Sequence, residues 1–314
     1  IYGDRDPGDV IHKMNTRKDK YDISGKVHIR EGEEKIHAMM EDYEGVIIWD
    51  LPSQIRNKYL KYCFSHSIRC YMSPKISDII LLGTDRIHLF DTPLLMCRNQ
   101  GLSMEQRAAK RLLDIVVSGL GIIVSSPIML IIAIAVKAYD GGPVFYLQDR
   151  LTYRGKEFRI RKFRSMCVDS EKNGARLASK HDSRITPVGH VLRNLHLDEL
   201  PQLFNVFAGD MSLVGPRPER DVIMQEYEQE IPEFHYRLKV KAGLTGYAQV
   251  YGKYNTTPYD KLKLDLFYIE NYSFLLDIKL LFMTVKIFFQ KEVSEGVDDD
   301  QKNAPVSYTH LRAH

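Results

Sequence analysis

Cysteine is scarce in this chain, and the patterns that cysteines form in metal sites are missing. The 314 residues include four cysteines, and no two of them form a CxxC pair. These counts exclude a disulfide-stabilised scaffold and a zinc ribbon, and predict reduced thiols that face the cytoplasm. The net charge of +3 is too small to indicate nucleic-acid binding. Neither a GxGxxG motif nor a P-loop is present, so no dinucleotide site is predicted.

The composition is otherwise that of a folded protein. The chain is 44% hydrophobic and 27% charged, which excludes general disorder. Its length suits one large domain or two ordinary ones. The chain begins at Ile1 without an initiator methionine or a signal peptide, so we expect a fragment that lacks upstream segments. A tail is predicted at 298–314, and its last part, 306–314, resembles a translated sequencing adaptor.

One long apolar run divides the chain. Residues 112–136 contain a single charged residue, Asp114. About 20 apolar residues span a bilayer as a helix, whereas a core helix of a soluble protein is rarely apolar all round over this length. Ser126 and Pro127 lie near the centre, where proline breaks a helix and serine can satisfy the freed backbone groups. Both flanks are basic, so we predict a re-entrant helix-break-helix over 111–139 with both soluble parts in the cytoplasm.

Residues 1–95 have the pattern of a partial α/β domain. An apolar strand is predicted at 45–49, a helix at 55–64 and a second strand at 68–72. A strand–helix–strand order indicates a parallel sheet, and hence a Rossmann-like α/β half-domain. We expect a structural or oligomerising role for it, such as the formation of a homodimer. Residues 96–110 are predicted to link it to the membrane segment.

A basic stretch follows the apolar run. Residues 150–164 hold seven basic side chains and one acid, Glu157. Such a stretch can face lipid headgroups, where each cation near anionic lipid contributes about 1 kcal/mol. It can also bind an anionic substrate, because Arg159 and Arg161 alternate with Lys162 in a strand-like period that places cations on both faces. The residues alone leave both interpretations open.

Two adjacent carboxylates, Asp198 and Glu199, precede a predicted helix. A helix start favours such a pair, so capping is the ordinary interpretation. Arg193 lies five residues before Asp198, and two prolines flank Arg217 in a stiff loop. Arginine suits bidentate contact with phosphate, and a carboxylate can attack phosphorus. The combination therefore also indicates phosphoryl transfer assisted by a hard cation, for which Mg²⁺ is the best candidate.

Three segments together resemble one bacterial enzyme family. They are KFRSM at 162–166, LDELPQLFNVFAGDMSLVGPRPE at 197–219 and KAGLTGYAQVYGK at 241–253. This motif set is similar to that of the polyprenyl-phosphate sugar-1-phosphate transferases, also called monotopic phosphoglycosyl transferases, over residues 105–297. The resemblance implies a mostly α, α+β catalytic domain at 140–297. It also implies that an α/β domain precedes the catalytic domain, as in the larger members.

The resemblance implies a reaction and its participants. The family transfers a sugar-1-phosphate from a UDP-sugar to undecaprenyl phosphate, releases UMP and needs Mg²⁺. Asp198 would carry a covalent phosphosugar intermediate, and Glu199 would hold the metal. Lys162, Arg193 and Arg217 would be charge partners of the substrate phosphates. The implied location is the bacterial inner membrane with the catalytic domain on its cytoplasmic face, and the implied product serves exopolysaccharide, capsule or O-antigen synthesis.

Two other functions compete with this enzyme as interpretations of the sequence. A catalytically inactive membrane scaffold, or a nucleotide-sensing partner in polysaccharide assembly, would often lose the carboxylate pair or the proline–arginine–proline loop, and this chain keeps both. A soluble nucleotide-binding enzyme disagrees with the long apolar run.

Four features near the carboxyl-terminal end are less specific. Residues 242–252 are predicted to form a turn-rich loop and strand near the site. Glu270 is predicted to be structural, and the role of Asp277 is left open. Residues 279–291 are apolar at helical spacing with lysines between, which fits an interfacial amphipathic helix or a core helix.

Overall fold

The computed structural model describes residues 1–97, 101–168, 184–252 and 256–288. The chain divides into two compact units, of which the first comprises Ile1–Asp78 and the second begins at Ile79. The predictions for the tail at 298–314 and its segment at 306–314 lie outside the described residues.

The first unit is built around a strand–helix–strand motif. Its elements are α1 (Gly8–Asn15), α2 (Glu33–Glu41), β1 (Gly45–Ile48), α3 (Ser53–Ser65) and β2 (Arg69–Met72), and α4 (Ile76–Leu82) begins at its end. β1 and β2 pair in parallel, with Gly45 opposite Arg69. The predicted motif is therefore confirmed. The described sheet has two strands, with single bridges from Tyr2 to His28 and Trp49, so a Rossmann-like fold stays a prediction.

Helical spacing explains the core of the first unit. Ile36 and Met40 lie one turn apart on α2, and both are buried with Ile48 of β1. A buried arginine, Arg56 of α3, pairs with Asp78 through both guanidinium nitrogens Nη1 and Nη2. This bidentate pair fixes α3 to the start of α4.

The second unit combines helices with short two-stranded sheets. Its strands are β3 (Asp85–Leu89), β4 (Thr92–Met96), β5 (Phe145–Leu151), β6 (Glu157–Phe163), β7 (Ser212–Val214) and β8 (Gly243–Thr245). Its helices are α5 (Met104–Asp140), α6 (Pro187–Asn194), α7 (Gln202–Ala208), α8 (Asp221–Glu230), α9 (Tyr247–Tyr251), α10 (Pro258–Glu270) and α11 (Phe274–Phe288). The β3–β4 and β5–β6 pairs are antiparallel, and β7 pairs with β8 in parallel. This mixed, mostly helical composition agrees with the predicted α+β class.

The long apolar run lies within α5, a single helix of 37 residues. A capping box between Ser103 and Gln106 begins the helix, and Gly141, with a φ of 71°, ends it. The helix therefore starts inside the predicted linker and continues through the predicted break. In the part of the chain that the structure describes, only this helix is long and apolar enough to cross a membrane, and 17% of its most apolar window is buried. Such exposure is compatible with a re-entrant membrane helix.

Serine side chains compensate for the proline inside α5. Helical bonding joins each N–H to the carbonyl four residues earlier, so Pro127 deprives the carbonyl of Ile123 of its usual donor. The hydroxyl of Ser126 donates to that carbonyl at 2.8 Å, and the hydroxyl of Ser125 donates to the carbonyl of Gly121 at 2.6 Å. The expectation that serine satisfies the freed backbone group is confirmed.

Both halves of α5 contact the same unit. Near its start, Asp114 Oδ1 accepts hydrogen bonds from Ser212 Oγ and Leu213 N, each at 2.9 Å. After the proline, one face of α5 is buried in a cluster made by Met129, Ile132, Val136, Phe163 and Leu192. The opposite face is bare, since Ile123 is 70% exposed. Both halves of α5 are therefore anchored to the same unit, while one face of the helix is left bare.

Candidate active site

The carboxylate pair lies in a 3₁₀ turn between α6 and α7. After α6 ends, His196 adopts a φ of 52°, which turns the chain into the segment Leu197–Glu199. This left-handed conformation costs a non-glycine residue about 1 kcal/mol, and it sets the direction of Asp198 and Glu199. The N-cap of α7 is Pro201, and no side chain caps that helix. Capping, the ordinary interpretation of the pair, is therefore not its use here.

Glu199 is held by two cations. Lys162 Nζ donates to Glu199 Oε1 at 2.5 Å, and Arg217 Nη2 lies 3.5 Å from the same oxygen. Burial by itself raises the pKa of Glu199, but the charges of Lys162 and Arg217 outweigh it and lower the pKa to about 2. Glu199 is therefore a fixed, ionised carboxylate at physiological pH.

The pKa of Asp198 is shifted in the opposite direction. Burial raises the pKa of its carboxyl group, and the charge of Glu199 adds to the increase, while Lys162 and Arg193 oppose it. Its carboxylate forms no hydrogen bond to another described residue, so its oxygens remain available. The environments of the two adjacent carboxyl groups thus move their pKa values apart, as at sites where two carboxyl groups perform different tasks.

The two arginines that were predicted to bind phosphate flank this pair. Arg193 acts on Asp198 electrostatically, and its Nη1 is buried without a hydrogen-bond partner among the described residues. An unsatisfied buried donor costs about 1–3 kcal/mol, which an anionic ligand would recover. The side chain of Arg217 is 52% exposed and keeps donors free for a ligand. The structure thus brings Lys162, Arg193 and Arg217 around the carboxylates.

Lys162 reaches the carboxylate pair because the side chains of β6 alternate between an inner and an outer face. Phe158 and Ile160 are buried, Arg159 and Arg161 are exposed, and Lys162 is half-buried on the inner face. The predicted strand with cations on both faces is confirmed. Asn205 of α7 fixes this strand, since it accepts from the Arg161 amide at 3.0 Å.

Close glycine packing positions the loop of Arg217. Gly215 lies between β7 and Arg217, and a Cβ added at Gly243 would stand 2.1 Å from the Gly215 nitrogen. A Cβ at Gly246 would stand 2.1 Å from the Gly215 oxygen. Segment 242–252, predicted as a loop and strand, forms β8 and α9, and its glycines permit this close backbone approach.

A buried charge network supports the same loop from behind. Arg150 Nη1 donates to the Pro218 carbonyl at 3.1 Å. Arg237 donates to Asp265 through Nε at 3.0 Å and lies 3.5 Å from Glu219. Burial raises the pKa of Asp265 to about 6, against the charge of Arg237. No local sequence pattern predicts this network, because its members are far apart along the chain.

Asp277 has a structural role. Its carboxylate accepts from Lys110 Nζ at 2.6 Å and from the Tyr268 hydroxyl at 2.7 Å, and Asp277 is fully buried. This contact joins the start of α11 to α5. Glu270, predicted to be structural, has its carboxylate against Gly83.

The predicted helix at 279–291 corresponds to α11 as far as the described residues extend. Leu280 is fully buried, whereas Phe282 is 73% exposed. The helix therefore has one face in the core and one bare apolar face. The core-helix interpretation describes the first face, and the interfacial interpretation remains open for the second.

The donor set at the pair suits magnesium. In the described part of the chain, no group of three or more His, Cys, Asp or Glu side chains is arranged for a metal. Mg²⁺ is commonly bound by one or two carboxylates together with substrate phosphates and water. The second oxygen of Glu199, which accepts no hydrogen bond from a described residue, provides such a ligand. The residues present therefore fit a metal that completes its shell with the substrate.

The chain is similar in sequence to known proteins. The bacterial sugar transferase family matches residues 105–291. The chain is 44% identical over 180 residues to the UDP-N-acetylgalactosamine-undecaprenyl-phosphate N-acetylgalactosaminephosphotransferase of Aeromonas hydrophila, covering 56% of this chain and 43% of that protein. It is 38% identical over 262 residues to the UDP-glucose:undecaprenyl-phosphate glucose-1-phosphate transferase of Klebsiella pneumoniae, covering 80% and 54%.

A third relative carries another sugar in its name. The chain is 37% identical over 237 residues to the undecaprenyl-phosphate galactose phosphotransferase of Salmonella typhimurium, covering 70% of this chain and 49% of that protein. The chain thus spans about half the length of the relatives it matches. The extent of the family match establishes that this chain belongs to the bacterial sugar transferase family.

Proposed function

We propose that the second unit is a phosphoglycosyl transferase that moves a sugar-1-phosphate from a UDP-sugar to undecaprenyl phosphate and releases UMP. The observation that carries the proposal is the pair itself: Asp198 is a half-buried carboxylate without a described hydrogen-bond partner, beside a Glu199 fixed by Lys162 and Arg217. The relatives support the substrate classes, since their names contain three sugars and the same undecaprenyl phosphate acceptor.

The reaction proceeds in two displacements. In the first, an Asp198 carboxylate oxygen attacks the β-phosphorus of the UDP-sugar, the bond from that phosphorus to the bridging oxygen breaks, and UMP leaves with the electron pair. In the second, a phosphate oxygen of undecaprenyl phosphate attacks the same phosphorus. The bond to Asp198 breaks, which regenerates the carboxylate and gives undecaprenyl-diphospho-sugar. A covalent intermediate lets one small site serve a soluble and a lipid-borne substrate in turn.

The surrounding side chains place and neutralise charge. Arg193 and Arg217 bind the diphosphate oxygens, which satisfies the orphaned Nη1 of Arg193. Lys162 keeps Glu199 ionised and oriented. Glu199, together with the diphosphate, would hold Mg²⁺, which supplies charge neutralisation for the leaving UMP. The raised pKa of Asp198 makes its carboxylate more basic, and a more basic carboxylate is the stronger nucleophile.

We place this unit on the cytoplasmic face of the bacterial inner membrane, with α5 as a re-entrant helix. Two observations support this placement: the apolar side chains of α5 are bare on one side, and both halves of the helix contact the same unit. A UDP-sugar and a lipid phosphate can then meet at the membrane surface. The product would enter exopolysaccharide, capsule or O-antigen synthesis.

UMP release tests the proposal. The detergent-purified chain is given Mg²⁺, undecaprenyl phosphate and, one at a time, UDP-glucose, UDP-galactose and UDP-N-acetylgalactosamine. We expect release with one donor, and its loss on chelation. Asp198→Asn should abolish both release and the phosphosugar adduct on the protein, whereas the control Asp149→Asn, at an exposed position on β5, should retain both.

Two results would contradict the assignment. Release by Asp198→Asn at the wild-type rate would remove the nucleophile. No release with any donor, from protein shown to be folded, would favour the alternative of an inactive scaffold or nucleotide-sensing partner in polysaccharide assembly.

A further inference from the structure

An open cleft of about 700 Å³ lies on the second unit beside the start of α5. It is lined by the β5–β6 connection, by the 3₁₀ segment Pro232–Lys239 and by Arg107 of α5. The β5–β6 connection that lines the cleft ends at Glu157, the first residue of β6. Lys162 of the candidate active site lies five residues further along β6, which is about 17 Å at the rise of a strand. The cleft is therefore separate from the carboxylate pair.

Positive charge in the cleft is not balanced by ion pairs. Arg107, Arg154 and Lys239 line it, and no carboxylate of a described residue forms an ion pair with any of them. Two of these cations lie over tyrosine rings instead. Arg154 Cζ is 5.1 Å from the centre of the Tyr153 ring, and Lys239 Nζ is 5.4 Å from that of Tyr236.

Two acids lie near this cluster without neutralising it. Lys239 acts on Glu270 at longer range. His235, which also lines the cleft, is 4.0 Å from Glu228 and contacts the carbonyl of Pro232 at 2.8 Å. Three cations that converge on one concave surface attract an anion with several oxygens.

The position of the cleft along α5 indicates the source of that anion. Leu112, at the start of the apolar run, is 65% exposed, and Arg107 precedes it by five residues. At 1.5 Å per residue this is about 7.5 Å along the helix axis. The headgroup layer of a bilayer leaflet is about 5–8 Å thick. When Leu112 stands at the edge of the hydrocarbon, Arg107 therefore stands at the level of the lipid phosphates.

Two further features of the cleft fit a membrane interface. Tyrosine is enriched at the headgroup level, and Tyr153 and Tyr236 present their rings there. Arg154 adopts a φ of 60°, a left-handed conformation in which glycine or asparagine would be relaxed. Arg154 therefore stands at a position where its backbone conformation is disfavoured, and its side chain lines the cleft.

We propose that this cleft binds the phosphate of an anionic phospholipid. Arg107, Arg154 and Lys239 donate hydrogen bonds to the phosphate oxygens, and the tyrosine rings pack beside the headgroup. Binding a lipid here would orient the second unit on the membrane surface at the point where α5 enters it. The proposal goes beyond sugar transfer and does not depend on it.

Lipid binding by the full chain in detergent tests the proposal. Delipidated protein is titrated with dioleoyl-phosphatidylglycerol or dioleoyl-phosphatidylcholine, and bound lipid is counted by native mass spectrometry. We expect saturable binding of phosphatidylglycerol, about tenfold tighter than that of phosphatidylcholine. The triple variant Arg107→Gln, Arg154→Gln, Lys239→Gln should lose about tenfold or more in affinity for phosphatidylglycerol.

Matched variants separate the cleft from general charge. Lys13→Gln, Lys18→Gln, Lys20→Gln removes the same net charge from exposed positions of the first unit and should leave lipid affinity unchanged. The charge-retaining triple variant Arg107→Lys, Arg154→Lys, Lys239→Arg should keep phosphatidylglycerol binding. If a thermal melt shows that the glutamine triple variant is unfolded, the single variant Arg107→Gln, at an exposed helix position, replaces it. This variant should lose about threefold in affinity for phosphatidylglycerol.

Three results would overturn the proposal. The first is equal affinity for the two lipids, and the second is unchanged phosphatidylglycerol affinity in the variant used. The third is displacement of phosphatidylglycerol by sn-glycerol 1-phosphate at equal affinity, which would make the cleft a site for soluble phosphates. UMP release is not part of the readout, so failure here and failure of the proposed transferase activity are distinguishable.

Discussion

The ion pair between Lys162 and Glu199 dominates the electrostatics of the candidate site. Replacing Lys162 by methionine keeps most of the side chain's length and removes the ammonium that donates to Glu199 at 2.5 Å. The two side chains are 21% and 22% exposed, so water screens this pair less than a surface pair. Arg217, 3.5 Å from the same carboxylate oxygen and itself 52% exposed, is the cation that remains.

The pKa of Glu199 gives the magnitude. The net effect of the site lowers it from 4.5 to about 2. At about 1.4 kcal/mol per pKa unit, this difference corresponds to roughly 3 kcal/mol of stabilisation of the ionised form. Because Arg217 retains part of that stabilisation, Lys162→Met should lower the free energy of unfolding by about 2 kcal/mol. For a unit of this size the melting temperature should fall by about 4–8 °C.

The pH dependence of this effect has a definite sign. The folded pKa of Glu199 lies below its ordinary value of 4.5, so the stabilisation is fully present above pH 4.5. It is lost as the pH falls from 4.5 through about 2, below which the carboxyl group is protonated in both the folded and the unfolded states. Thermal unfolding in detergent should therefore show the full difference between wild type and Lys162→Met at pH 7, and a smaller one below pH 4.5.

A double-mutant cycle supplies the control. Glu199→Gln removes the charge that Lys162 compensates, so the double variant should cost about 1–3 kcal/mol less than the sum of the single variants. Lys162→Arg, which keeps the cation, should recover part of the stability. An unchanged melting temperature for Lys162→Met at pH 7, or strictly additive single effects, would refute the electrostatic argument.

Two further predictions concern α5. Variants that retain only Cys97 or only Cys167, both exposed, should be labelled by an impermeant maleimide from the cytoplasmic side alone; labelling from opposite sides would contradict the re-entrant arrangement. Ser126→Ala should lower the free energy of unfolding by about 0.5–1.5 kcal/mol, because it leaves the Ile123 carbonyl without a donor. Thermal unfolding should show no such loss in a Pro127→Ala background, where the backbone N–H is restored, and equal losses in both backgrounds would exclude this role for Ser126.

Local sequence patterns are enough to predict two parts of the fold. The strand–helix–strand motif of the first unit follows from short apolar runs between turn residues, and α5 follows from its apolar length. α5 begins at Met104, before the predicted membrane segment, because the capping box of Ser103 and Gln106 lies in the polar sequence that precedes the apolar run. The break predicted at Pro127 does not interrupt the helix, since the neighbouring serine hydroxyl donates the hydrogen bond that the proline nitrogen cannot donate.

The sequence identifies the residues of the candidate site, but it does not predict the contacts between distant positions. Asp198, Glu199 and Arg217 lie in one continuous motif, so a resemblance could identify them together. The pair formed by Lys110 and Asp277 joins positions 167 residues apart, and no local pattern indicates it. Such pairs form only when the tertiary fold brings distant segments together, which no propensity or period encodes.

The polar residues of α5 have a further consequence for the site. Asp114 accepts hydrogen bonds from β7, the strand that runs directly into the loop of Arg217. Arg111 donates to the carbonyls of Val206 and Phe207, each at 2.8 Å, at the end of α7, whose first turn follows the carboxylate pair. One helix is therefore bonded to both elements that carry the site. In the proposed membrane placement, the apolar face of α5 would set the depth of the helix in the bilayer, and these bonds would then fix the height of Asp198 above the lipid. The proposed acceptor has its phosphate confined to the headgroup layer, so the proposed transfer would require the Asp198 carboxylate at a fixed height, which a flexible linker would not provide.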